Sequence, residues 1–106
     1  MSHESSINCE FDSAKDTEKM LDETYNTLYV EARKMAADNP ALREKDLEGA
    51  LHKSEAAFKT FVAAQCSYET QLYAGTKAAP DADALCRIRL IDQQMKTLAP
   101  SKQAKN

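Results

Sequence analysis

Glycine and proline are scarce in this chain, which has two glycines and three prolines in 106 residues. Its β-branched residues are few and scattered, while Ala, Glu, Lys, Leu and Gln are common. That balance argues for helix throughout. No apolar run approaches the ~20 residues needed to cross a bilayer. The net charge of −3 is mild, so the chain lacks the basic face with which a general nucleic-acid binder displaces counterions. Met1-Ser-His-Glu provides neither a basic leader nor an apolar segment, so no secretory signal is visible.

Catalytic constellations are missing as well. There are only two histidines. His3 falls near the N-terminus and His52 stands alone beside Lys53, neither with a second ligand at helical spacing. Both read as surface residues, and no metal site is expected. No segment suggests a nucleophile with a base positioned by a third group. Gly75, the only glycine placed in a loop, cannot build a phosphate cradle. Glu18, Asp22, Glu23 and Glu31 are interleaved with Lys15, Lys19, Arg33 and Lys34, as on a solvated helix face. A glycosidase pair would need one acid in an apolar pocket, and nothing marks one. The chain reads as a non-enzyme without cofactors.

What is present is a set of helical patterns. With 42% hydrophobic and 29% charged residues, the chain suits one soluble domain with a modest core. Residues 1–11 read as irregular. Asp12, Ser13 and Asp16 are candidate N-caps for a helix over about 13–37. Its stripe is Leu21, Tyr25, Leu28, Ala32 and Met35. Asp38-Asn39-Pro40 ends it, and Pro40, capped by Asn39, would open a second helix over about 40–73. The expected core stripe of that helix is Leu47, Leu51, Ser54, Phe58, Phe61, Gln65, Tyr68 and Leu72, with Phe58, Phe61, Tyr68 and Tyr73 as an aromatic core group. Ala50, Ala57 and Ala64, seven apart, form a flat strip where another helix can approach. Tyr29 lies one residue off the first stripe and reads as a surface contact residue. Pro80 opens a third helix, about 80–98, with Leu85, Ile88, Ile91, Met95 and Leu98 inward. Residues 100–106 read as a disordered tail. The expected fold is all-α: a single domain over 12–99, an antiparallel three-helix bundle with a long central helix.

The cysteines add a constraint. Cys66 lies seven residues before Tyr73 and Cys86 six after Pro80, on either side of the reversal at Ala74–Ala79. In an antiparallel hairpin both would stand roughly 9–11 Å from the turn, facing each other at one height. A disulfide needs Cα atoms within about 7 Å, so the pair reads as the staple of a helical hairpin from an oxidising compartment. Two small buried thiols in a reducing compartment are the alternative. An exported chain without a visible leader implies that the leader has been removed. Cys9 is the odd thiol. A partner upstream of Met1, a bridge between chains and an unpaired thiol are its three readings.

The run Ala57-Phe-Lys-Thr-Phe-Val-Ala-Ala-Gln-Cys66 resembles a signature of the lysozyme inhibitor LprI-like family of small secreted or lipid-anchored bacterial helical domains. The pattern there is Ala, an aromatic that is usually Trp, two variable residues, a second aromatic, Arg-Asp-Ala, one variable residue and Cys. Tyr73-Ala-Gly-Thr looks like the family's glycine-rich turn, and Cys86 with Leu90 and Leu98 resembles its closing helix. Upstream, Ile7-Asn8-Cys9, Leu21-Asp22 and Tyr25 look like its Met-Asn-x-Cys, Leu-Asn and Tyr positions. The similarity spans about residues 5–98. Phe58 departs from the usual tryptophan, Val62-Ala63 from Arg-Asp, and Gln94 from a common arginine, which marks a divergent member.

The resemblance implies a periplasmic or secreted binding protein that inhibits a cell-wall-degrading enzyme. Its partner would be a peptidoglycan hydrolase, or a toxin neutralised by an immunity protein. The expected contact surface is the stapled tip, with Tyr73, Gly75, Thr76 and Lys77 as contact residues. A bridge about two turns below a loop holds it rigid and lowers the ordering cost of binding. The competing reading is a helical module that self-associates through the alanine strip or Cys9. The chain is expected to be a monomer or weak dimer.

Overall fold

The computed structural model describes the backbone of residues 3–98 and the side chains of residues 13–98. Three helices follow in order: α1 (His3–Asp38), α2 (Glu44–Leu72) and α3 (Ala79–Leu98). Each packs against the other two, and among the described residues there is no strand. At about 1.5 Å per residue, α1 alone accounts for nearly all of the 57 Å long axis. The expected tail at 100–106 and the side chain of Cys9 lie outside the described residues.

Helix α1 starts at His3, ten residues before the start expected from the caps, so residues 3–11 are not irregular. No Gly or Pro interrupts His3–Phe11, so nothing in that stretch breaks the helix. Ser13 is therefore a helix-interior residue rather than a cap, and its carbonyl accepts the Thr17 hydroxyl at 2.7 Å. That back-bond satisfies Thr17, a polar residue on the buried face. The middle helix is long, at 29 residues, but α1 at 36 is longer.

The opening of α2 also shifts. Asn39 Oδ1 accepts from the Ala41 amide at 3.0 Å and the Asn39 carbonyl from the Leu42 amide at 3.0 Å. These bonds close a turn over 39–42. Asn39 thus caps the turn instead of a helix, and α2 begins four residues after Pro40, behind Arg43.

Among the described residues two clusters make the core. Leu21, Tyr25 and Ile91 are buried together, flanked by Leu28, Leu51, Met95 and Leu98. Val62, Cys66 and Cys86 form the second cluster toward the tip, flanked by Leu90. Phe58 packs against both. Ala14, Ala32 and Ala84 are also buried, small side chains that let the helices approach. The Tyr25 side chain has no exposure, and its hydroxyl accepts from Gln94 Nε2 at 3.0 Å. Gln94, one of the departures from the family pattern, thus satisfies the largest buried polar side chain.

In its second half α2 turns a different face inward from the one expected. Val62 and Cys66 are buried, whereas Phe61 is 50% exposed, Tyr68 59% and Leu72 63%. Ser54 is exposed too. The reason is the staple: Cys66 must face α3, and one turn back on that face stands Val62, not Phe61. Of the expected aromatic core group only Phe58 packs inward, joined there by Tyr25 and Tyr29 of α1. At the helix ends Met35 and Leu85 are likewise exposed.

Candidate partner-binding surface

The tip of the α2–α3 hairpin is built from short-range bonds. Helix α2 closes with the Tyr73 amide on the Thr70 carbonyl and the Ala74 amide on the Gln71 carbonyl, both at 3.1 Å. Gly75 then takes φ +81°, in the left-handed region where a side chain costs energy. Thr76 locks the far side. Its amide and its hydroxyl both donate to the Tyr73 carbonyl, at 3.0 and 2.6 Å, and its Oγ1 accepts from the Ala78 amide at 3.2 Å. Pro80 falls in the first turn of α3, where its missing N–H is harmless.

Beneath this loop Cys66 and Cys86 are joined by a disulfide, with Cα atoms 5.5 Å apart. Both are essentially without exposure. Glu69 and Arg89 add an ion pair across the same two helices at 2.6 Å. The Arg89 guanidinium, with help from the Gln65 amide, holds the Glu69 carboxyl below the usual carboxylate range. Of the four expected contact residues, Gly75 and Thr76 shape the loop, while Tyr73 and Lys77 are exposed on it.

A half-open groove of about 340 Å³ runs beside the tip, between α2 and α3. Tyr73 and Leu85 supply apolar walls, and Glu69, Arg89 and Asp81 supply charge. Asp81 Oδ1 is buried and meets no hydrogen-bond donor among the described residues, an uncommon condition for a buried oxygen. No sequence signal marked this groove, because its walls, Glu69 and Tyr73 on one side and Leu85 and Arg89 on the other, meet only when α2 and α3 pack together.

At the other end of α2, Tyr29 is not a free contact residue. Its hydroxyl donates to Glu55 Oε1 at 2.9 Å and lies 2.7 Å from His52 Nδ1. With its one proton on Glu55, the Tyr29 oxygen is left to accept from the imidazole. The two rings stand 4.6 Å apart. Burial and the Glu55 carboxylate push the Tyr29 phenol up to about 12. His52 is thus tied to α1, a contact between residues 23 apart that sequence spacing does not reveal. Lys59 bridges Glu55 to Asp22 of α1, both at 2.9 Å.

These pairs leave α2 divided by charge. Between Ser54 and Leu72 its charged residues are Glu55, Lys59 and Glu69, and all three are engaged in ion pairs. The opposite half of the helix is exposed and carries no charge. Ala57, Phe61, Ala64, Tyr68, Gln71 and Leu72 lie on it.

Among the described residues no group of three or more His, Cys, Asp or Glu could hold a metal ion, and no helix is long and apolar enough to cross a membrane. The model of the family described as "Lysozyme inhibitor LprI" matches residues 1–98. No curated protein and no solved structure matches the chain.

Proposed function

Because the chain belongs to the lysozyme inhibitor LprI family, we propose that it is an exported binding protein that blocks a peptidoglycan-degrading enzyme with its stapled tip. The observation that carries this reading is the pre-ordered loop. Gly75 and Thr76 fix its backbone, and the Cys66–Cys86 bridge anchors it below. A loop already in one conformation loses little entropy on binding. Tyr73 offers an aromatic anchor of the kind enriched at interface centres. Lys77 presents a cation to the carboxylate pair that glycoside hydrolases carry in their clefts. The disulfide suits an oxidising compartment, so the proposed site of action is the periplasm or beyond the cell. A lysozyme inhibitor and an immunity protein against a wall-attacking toxin would share this mechanism.

The test is a turbidity or muropeptide-release assay on a panel of muramidases and amidases with equimolar oxidised protein. Inhibition of at least one enzyme is expected, weakened ten-fold or more by Lys77→Glu with Tyr73→Ala. An unaffected panel overturns the reading, and so does inhibition that the double variant leaves intact.

A further inference from the structure

We infer that the uncharged outer face of α2 is a self-complementary surface on which a second copy of this chain packs antiparallel, giving a weak two-fold dimer. This pairing does not depend on the inhibitor reading and uses a different surface from the tip.

The face runs from Ser54 to Leu72, a strip roughly 27 Å long. Its exposed residues are apolar or neutral although 29% of the chain is charged. Large and small side chains alternate along it at steps of four and three: Ala57, Phe61, Ala64, Tyr68. That spacing is the seam of a pair of helices packed knobs-into-holes. If a two-fold axis passes between Val62 and Ala63, close to the middle of the uncharged strip, Phe61 meets Ala64 of the second copy and Tyr68 meets its Ala57. Each ring then lies over a methyl group, and Ser54 falls opposite Gln71, where a hydrogen bond is available. Stacking the strips in parallel would instead set ring on ring and leave alanine facing alanine.

Charge selects the same arrangement. Lys53, the cation bordering the strip, comes to lie against the carboxyl end of the α2 helix of the second copy, where the helix dipole is negative. No charged group has to be desolvated within the strip. Two helix faces of this length, each about 10–12 Å wide, bury roughly 550–650 Å² in total, below the range of stable specific interfaces and in the range of weak, transient ones. The net charge of −3 on each copy opposes association. The result is a concentration-dependent dimer, with its two tips at opposite ends and both uncovered.

Sedimentation of the full-length oxidised chain, with Cys9→Ser to exclude bridging there, reads the association over a concentration series. A monomer–dimer equilibrium is expected, weakened roughly 100-fold by Ala64→Glu, which buries one carboxylate per copy in the seam. Ala64 is exposed and Glu is a good helix former, so circular dichroism and melting of that variant should match the parent. Register is read separately by mild oxidation of the variant carrying Ala57→Cys and Tyr68→Cys. Peptide mapping should find residue 57 linked to residue 68 of the other copy. A chain that stays monomeric to millimolar concentration overturns the pairing, as does a dimer indifferent to Ala64→Glu. Links of 57 to 57 and 68 to 68 overturn the antiparallel register. A monomer whose enzyme inhibition is lost with Ala64→Glu assigns the face to a different protein and also overturns it.

Discussion

Opening the Cys66–Cys86 bridge is the perturbation whose size follows most directly from the structure. The bridge closes a loop with a sequence separation of 20. In the chain-entropy treatment such a cross-link removes roughly 11 cal/mol/K from the unfolded ensemble, or about 3 kcal/mol at 25 °C. A domain of this size has about 5–15 kcal/mol in total, so the loss takes a large share. At roughly 4–8 °C per kcal/mol, melting should fall by roughly 12–24 °C. The double variant Cys66→Ala/Cys86→Ala, followed by far-ultraviolet circular dichroism in urea and on heating, measures it. Amide exchange adds the location: residues 73–78 should lose protection while the middle of α1, packed on Tyr25 and Leu21, keeps more of its own. Reductant offers a kinetic check, because both sulfurs are buried and reduction must wait for the hairpin to open. A loss of under about 1 kcal/mol, or tip amides as protected as before, would refute the claim that the bridge orders the loop.

Other outcomes follow from single contacts. Tyr25→Phe should cost about 1 kcal/mol by stranding Gln94 Nε2, and Tyr25→Ala about 3–5 kcal/mol by emptying a fully buried site; urea midpoints report both. Gly75→Ala should lose about 1–2 kcal/mol from the positive φ alone, because nothing lies within 4 Å of the added methyl; denaturation curves check it. For Glu69 the folded carboxyl titrates below the unfolded one, because Arg89 stabilises its charged form. Its contribution is present above the ordinary glutamate value of about 4.3 and disappears as pH falls through the depressed folded value. Melting scans between about pH 5 and pH 3 should therefore show a shallower acid loss in Glu69→Gln than in the parent.

The three helices, the hairpin and its staple can be read from the sequence because each rests on a local or symmetric signal: apolar steps of three and four, Pro40 and Pro80, and two cysteines at matching distances from a turn. The helix starts are less readable. Asp12 and Ser13 look like caps, yet the absence of any breaker upstream lets α1 continue to His3. Asn39 does cap, but its side chain is taken by the turn amide of Ala41. The face of α2 was the costliest ambiguity. Residues 61, 65, 68 and 72 and residues 62, 66 and 69 are neighbouring stripes, both largely apolar, and periodicity does not choose between them. The staple does choose: a bridged Cys66 faces α3, which brings Val62 inward and turns Phe61, Tyr68 and Leu72 out. The signal lies in the sequence itself, because Val62 stands one turn before Cys66 on the same helix face. The tip is readable as a loop from its glycine and proline, whereas the groove beside it, and the Tyr29–His52–Glu55 contacts, depend on how separate helices meet.

Phe58 has a consequence for how the molecule comes apart. It packs against the Leu21–Tyr25–Ile91 cluster on one side and against the cluster of Val62 and the bridged pair on the other. The stapled end is held covalently, and the opposite end by side-chain packing and the Arg33–Glu48 ion pair. Heating should thus fray the structure from the 39–43 turn upward, with this one ring as the boundary where the fraying halts and a cross-linked remnant around the bridge persists.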